Sequence, residues 1–74
     1  MEQRMDMPPK ISLEAARVNA HLKQREAAKR IGIVPATLRS WERGITMPDL
    51  RQAACLADLY AYPMSYINFG GDAL

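Results

Sequence analysis

From Ser12 onward, apolar residues recur at spacings of three and four, the pattern that lets a helix turn one stripe toward a core. Leu13, Ala16 and Ala20, with Arg17 among them, form the stripe of a first helix that Ser12 can cap and that runs to about His21. Ala27, Ala28 and Ile31 mark a second over 24–31, with Arg25, Lys29 and Arg30 off the stripe. Gly32 follows the last apolar position, where a left-handed residue closes a helix, and the run Gly32-Ile33-Val34 leaves the next element little choice of direction. Pro35 suits the first position of a third helix over 35–43, because its fixed φ matches the helix and its missing N–H would have been unpaired there. In that helix Leu38 and Trp41 turn inward, and Ala36, Thr37, Arg39, Ser40 and Arg43 stay outside. The residues around Gly32 thus predict two short helices joined by a tight turn, with the second presented for contact.

The remainder supplies scaffold. Ile45 to Pro48 reads as a loop, and 49–60 as a fourth helix offering Leu50, Ala53, Ala54, Leu56, Ala57 and Tyr60 for packing. Pro63 ends that region. The segment Met64 to Phe69 predicts a short fifth helix over 64–68, with Met64 and Ile67 over the core and Tyr66 and Phe69 beside it. The expected class is all-α: five helices and no sheet.

Seventy-four residues allow one domain, with a core so small that close helical packing is the simplest way to stabilise it. The organisation expected is a flexible N-terminal arm over 1–10, a folded domain over 11–69 and a tail over 70–74 in which Gly70 and Gly71 fray. A single cysteine, Cys55, excludes an internal disulfide, fits a reducing, cytoplasmic setting, and reads as a small buried residue of the fourth helix. One Cys and one His cannot close a zinc shell, so neither metal nor cofactor is expected. No uncharged stretch approaches the ~20 apolar residues that cross a bilayer. His21 reads as a surface residue near a helix C-terminus, without a nucleophile or carboxylate constellation, so the chain does not read as an enzyme.

Charge sharpens the picture through its distribution rather than its total of +2. Residues 11–47 hold seven basic and three acidic groups, whereas 48–74 hold one and three, so the positive charge collects on the two-helix unit. Lys and Arg near phosphates gain by releasing condensed counterions, which makes a polyanion the natural partner. Ordinary solvated helix faces would produce the same count, and only the coincidence with the helix pair favours the first reading.

That coincidence has a name. The stretch from about Ser12 to Phe69 resembles the helix-turn-helix domain of the Cro and lambda-type phage repressor family. It does so through the joint spacing of Gln24, Ala28, Gly32-Ile33-Val34, Thr37-Leu38, Trp41-Glu42-Arg43-Gly44, Pro48 and Leu56-Ala57. The resemblance implies a compact five-helix fold and a transcriptional regulator, of phage or mobile-element repressor type, that inserts helix 35–43 into the major groove of double-stranded DNA as a homodimer on half-sites about one turn apart. It implies that Gln24 meets a phosphate, and that Arg17 pairs with Glu42 as a structural ion pair. The alternative for Arg17 is a phosphate contact. With Gln24, the residues expected at DNA are Arg25, Pro35, Ala36, Thr37, Arg39, Ser40 and Arg43. Gln24, Arg25 and Arg43 are expected to hold phosphates; Thr37, Arg39 and Ser40, with Ala36, are expected to meet base edges or the thymine methyl. Trp41, spaced with Leu38, is expected in the core.

Six positions depart from the family pattern. Lys23 stands where a capping Ser or Thr is usual, and Val34 offers no side-chain acceptor to the third helix. Ala27 replaces a common leucine, and Ala61 a glycine that often ends the fourth helix. Pro35 and Ala36 occupy places where long polar residues often bond bases, which keeps open a second reading: a protein-interaction module, such as an antitoxin or adaptor, on the same fold.

Overall fold

Ser12 does two jobs where the described chain begins to fold. Its extended backbone (φ −73°, ψ 162°) pairs in a strand β1, Ile11–Ser12, and its Oγ accepts the N–H of Ala15 at 3.0 Å, capping helix α1, Leu13–Asn19. The conformation that N-capping needs is already that of a strand, so one residue satisfies both. The computed structural model describes residues 8–69; residues 1–7 of the expected arm, and the tail 70–74 with Gly70 and Gly71, lie outside the described residues. Three further helices follow: α2, Gln24–Ile31; α3, Pro35–Glu42; and α4, Leu50–Tyr60. A single 3₁₀ turn, Met64–Tyr66, leads into β2, Ile67–Asn68.

Among the described residues, the expectation of five helices and no sheet is therefore corrected to four α-helices and a two-residue parallel ladder, with Ile11 opposite Ile67 and Ser12 opposite Asn68; the all-α class stands. A fifth helix over 64–68 gives way because it would be barely more than one turn, and nucleating a turn fixes several residues for one hydrogen bond. Ile67 and Asn68 instead go extended, and the ladder ties the last segment to the first.

The core is built from α1 (Leu13, Ala16), α2 (Ala27, Ala28), α3 (Leu38, Trp41), α4 (Leu56, Ala57, Tyr60) and Ile67, with Ile11, Ala20, Leu22, Ile31, Ile33, Leu59, Tyr62 and Phe69 half-covered around it. Ala27 and Ala28 are wholly buried, and their small side chains let α2 lie against both α3 and α4. Four expectations on the periphery fail, among them Ala54, which is exposed on α4 one position beyond the buried Ala53. Leu50 is 75% exposed, Met64 is also exposed, and Cys55, expected buried, lies on the surface. Cys55 stands two positions beyond the buried Ala53, about 200° around the helix, so it cannot share the inward stripe.

All four helices end alike, in a residue of positive φ: His21 (61°), Gly32 (80°), Gly44 (75°) and Ala61 (55°). In each case the next amide reaches back five residues: Leu22 to Arg17 O at 3.3 Å, Ile33 to Ala28 O at 2.9 Å, Ile45 to Ser40 O at 3.0 Å and Tyr62 to Ala57 O at 3.1 Å. This Schellman closure satisfies carbonyls that the helix leaves unpaired and fixes the angle at which the chain departs.

Candidate nucleic-acid interface

The geometry of the α2–α3 unit is set by a knot of three side chains around Glu42. Arg17 Nε donates to Glu42 Oε2 at 2.7 Å and its Nη2 to Oε1 at 3.2 Å, while Nη1 donates to the Leu22 carbonyl at 2.9 Å. Gln24 Nε2 donates to Glu42 Oε1 at 2.8 Å. An ionised carboxylate only accepts, so this contact also decides which end of the Gln24 amide is nitrogen. The knot joins α1, the turn after it, α2 and α3. It is nearly dry: the Arg17 and Glu42 side chains are only 11% and 4% exposed. The bidentate bond to Glu42 raises the Arg17 pKa from its ordinary value against the opposing effect of burial, so the guanidinium stays charged.

Around the knot lies a polar cleft lined by Glu14, Gln24, Arg39, Glu42 and Arg43. It brings together Gln24 from the start of α2 with Arg39 and Arg43 from the end of α3. Three other named positions follow along α3: Ala36 exposed, Thr37 and Ser40 half-buried, with Pro35 half-buried at the first turn. Arg25 is exposed in the first turn of α2, outside the cleft. Trp41 is 4% exposed, in the core with Leu38.

Local chemistry shapes the starts of α2, which borders the cleft, and of α3. Lys23 has no acceptor for the amides of α2, and Glu26 compensates by taking the Lys23 N–H at 2.7 Å. No side chain caps the first-turn amides of α2. Val34 caps nothing either, although Pro35 removes one donor that would otherwise need a partner.

Two participants escaped the sequence. Glu14, 3.9 Å from Arg17 Nη2, lies one turn before it on α1, and the i, i+3 spacing of acid and base carried the signal. Thr46 meets Ser40 with 2.7 Å between their hydroxyl oxygens, although it lies in the loop after α3, where no periodicity points to it.

Among the described residues no helix is long and apolar enough to cross a membrane. Comparison with curated proteins and with solved structures returns no match. A family profile described as helix-turn-helix matches residues 13–67, spanning α1 to the start of β2. That match covers the knot, the cleft and the turn between α2 and α3. The chain belongs to the helix-turn-helix family of the XRE and Cro/lambda-repressor type, whose members are DNA-binding regulatory domains.

Proposed function

We propose that the domain is a sequence-specific transcriptional repressor that lays α3 in the major groove, one copy on each half-site of a two-fold operator about one helical turn apart. The observation that carries the reading is the cleft in which Gln24, Arg39 and Arg43 converge beside a fixed α3. Gln24 keeps its second amide N–H beyond the bond to Glu42, and the uncapped first turn of α2 adds backbone donors and a positive dipole end, so together they suit a phosphate oxygen. Arg43 and Arg25 provide further phosphate contacts. Thr37, Arg39 and Ser40 are the base readers, with Ala36 and Pro35 supplying apolar contact for a thymine methyl. In this reading the protein acts in the cytoplasm and uses no cofactor or metal.

Arg17 and Glu42 have a structural role in this reading. A guanidinium whose donors already serve Glu42 and the Leu22 carbonyl has little to offer a phosphate, which weighs against the rival role for Arg17. The weak hydrogen-bonding capacity of Pro35 and Ala36 points toward a readout that leans on shape and methyl contact.

The test is binding to randomised duplexes at two or more salt concentrations. Salt-dependent affinity with a recoverable two-fold consensus supports the proposal. Absence of both leaves the adaptor or antitoxin reading in its place.

A further inference from the structure

Ser40 and Thr46 are joined twice. Their hydroxyl oxygens lie 2.7 Å apart, and the Ser40 carbonyl accepts the Ile45 N–H at 3.0 Å and the Thr46 N–H at 3.5 Å in the closure of α3 at Gly44. The backbone turn therefore delivers Thr46 back onto the sixth residue of α3. Two hydroxyls hold two protons, and one of these is used between them. The pair thus presents one remaining donor, together with acceptor lone pairs, and either oxygen can supply that donor.

A lone serine inside a helix has two competing habits: free rotation in water, and back-bonding to the carbonyl one turn earlier, which here is that of Ala36. Thr46 offers Ser40 a side-chain partner beyond the end of the helix and so competes with both. Mutual bonding also polarises the pair and strengthens the bond its free proton makes.

We propose that Thr46 is a specificity-determining positioning residue, acting through Ser40, so that the two hydroxyls read one operator position as a unit. The inference rests on the DNA-binding reading above. Ser40 meets the base edge; Thr46 fixes how the Ser40 hydroxyl is presented, and its own exposure at the end of α3 leaves it accessible to the groove wall.

The experiment compares wild type, Ser40→Ala, Thr46→Val, Thr46→Ser and the Ser40→Ala/Thr46→Val double variant on a randomised duplex library at fixed salt, with thermal melting of each free protein. Thr46→Val keeps the branched shape and removes only the hydroxyl. The expected result is that Thr46→Val and Ser40→Ala each cut discrimination about tenfold at the same position of each half-site. The double variant should lose no more than either single change, and Thr46→Ser should restore the wild-type profile. Uniform weakening on all duplexes by Thr46→Val, whether or not melting changes, overturns the proposal in favour of a phosphate contact or a structural role. Additive losses, or losses at different positions, overturn it as well. If wild type shows neither salt-dependent affinity nor sequence preference, the DNA-binding reading itself has failed, a result distinct from all of these.

Discussion

Glu42 presents two carboxylate oxygens to three side-chain donors, two from Arg17 and one from Gln24, in a largely covered place at the edge of the cleft. Removing one member of a buried pair strands the other, at about 3–5 kcal/mol where the site is dry. A domain of this size has roughly 4–11 kcal/mol in all. With the pair only part-buried, that stranding cost is an upper bound; Arg17→Ala and Glu42→Ala are each expected to destabilise the domain markedly, and the double variant to lose much less than the two losses added. Urea titration of all four proteins measures the coupling, with Arg17→Lys and Glu42→Gln as the gentler cycle; strict additivity in both would show that the pairing contributes nothing. Tyr60 is the opposite case. Its hydroxyl is buried without a hydrogen-bond partner among the described residues, and burial, with the nearby Glu42 charge, raises its pKa well above the ordinary 10.0. A raised phenol pKa means that the folded state keeps a proton which the unfolded chain releases. The associated stability is complete below about pH 10 and is lost as pH climbs toward the folded value, at about 1.4 kcal/mol per pH unit. Tyr60→Phe should leave neutral-pH stability unchanged or higher by about 1 kcal/mol, since the hydroxyl it removes makes no hydrogen bond, and should flatten the alkaline decline. An equally steep decline in the variant above pH 10 would refute the assignment.

The four helices share one way of ending but not one residue type, and that difference is open to test. Left-handed backbone costs an L-residue with a Cβ roughly 1–2 kcal/mol, partly offset because glycine loses more freedom on folding. Gly32 and Gly44 avoid the penalty, whereas His21 and Ala61 carry it. Ala61→Gly should thus stabilise the domain by about 0.5–1 kcal/mol, and His21→Gly by somewhat less because histidine tolerates this region better than alanine. Melting temperatures of the two variants decide it, and a fall in both would mean that the closures are not strained. This scale also separates what could be read in the sequence from what could not. The bounds of α2, and both ends of α3 and α4 to within a residue, followed from apolar spacing, Gly32, Pro35 and Pro63. The β1–β2 ladder did not, because two residues cannot display a period of two. Leu50 misled because α4 holds eight apolar residues where its buried stripe takes four: Ala53, Leu56, Ala57 and Tyr60. In the interface, Glu14 and the Gln24–Glu42 bond were within reach of helical spacing and donor counting, whereas Thr46 depended on the course of a loop.

Across the whole molecule, charge and shape are segregated in the same direction. The basic excess falls on 11–47, the stretch that builds the cleft, while the segment from 48 onward is net acidic. A uniform cationic surface would bind any polyanion wherever it touched; a basic edge beside a fixed helix binds in one orientation, which a reader of sequence requires. The acidic groups within the cleft matter as much as the arginines. Glu42 is fully engaged by Arg17 and Gln24, and Glu14 remains exposed near Arg17, so Arg39 and Arg43 are the cations of the cleft left for an external phosphate or base. Their positions divide the work: Arg43 caps α3 at its end, and Arg39 stands one turn earlier on the exposed side. Arg43→Ala should weaken binding to every duplex alike and lower the slope of log affinity against log salt by about 1, as expected when one phosphate fewer is neutralised. Arg39→Ala should change the salt slope less and instead relax the preference for one base in each half-site by roughly 1–3 kcal/mol, since a bidentate guanidinium discriminates guanine from its alternatives. Binding isotherms of the two variants on consensus, single-mismatch and random duplexes, each at several salt concentrations, separate the roles. Should Arg43→Ala alter base preference while Arg39→Ala leaves it untouched, the orientation of α3 in the groove proposed above would have to be reversed.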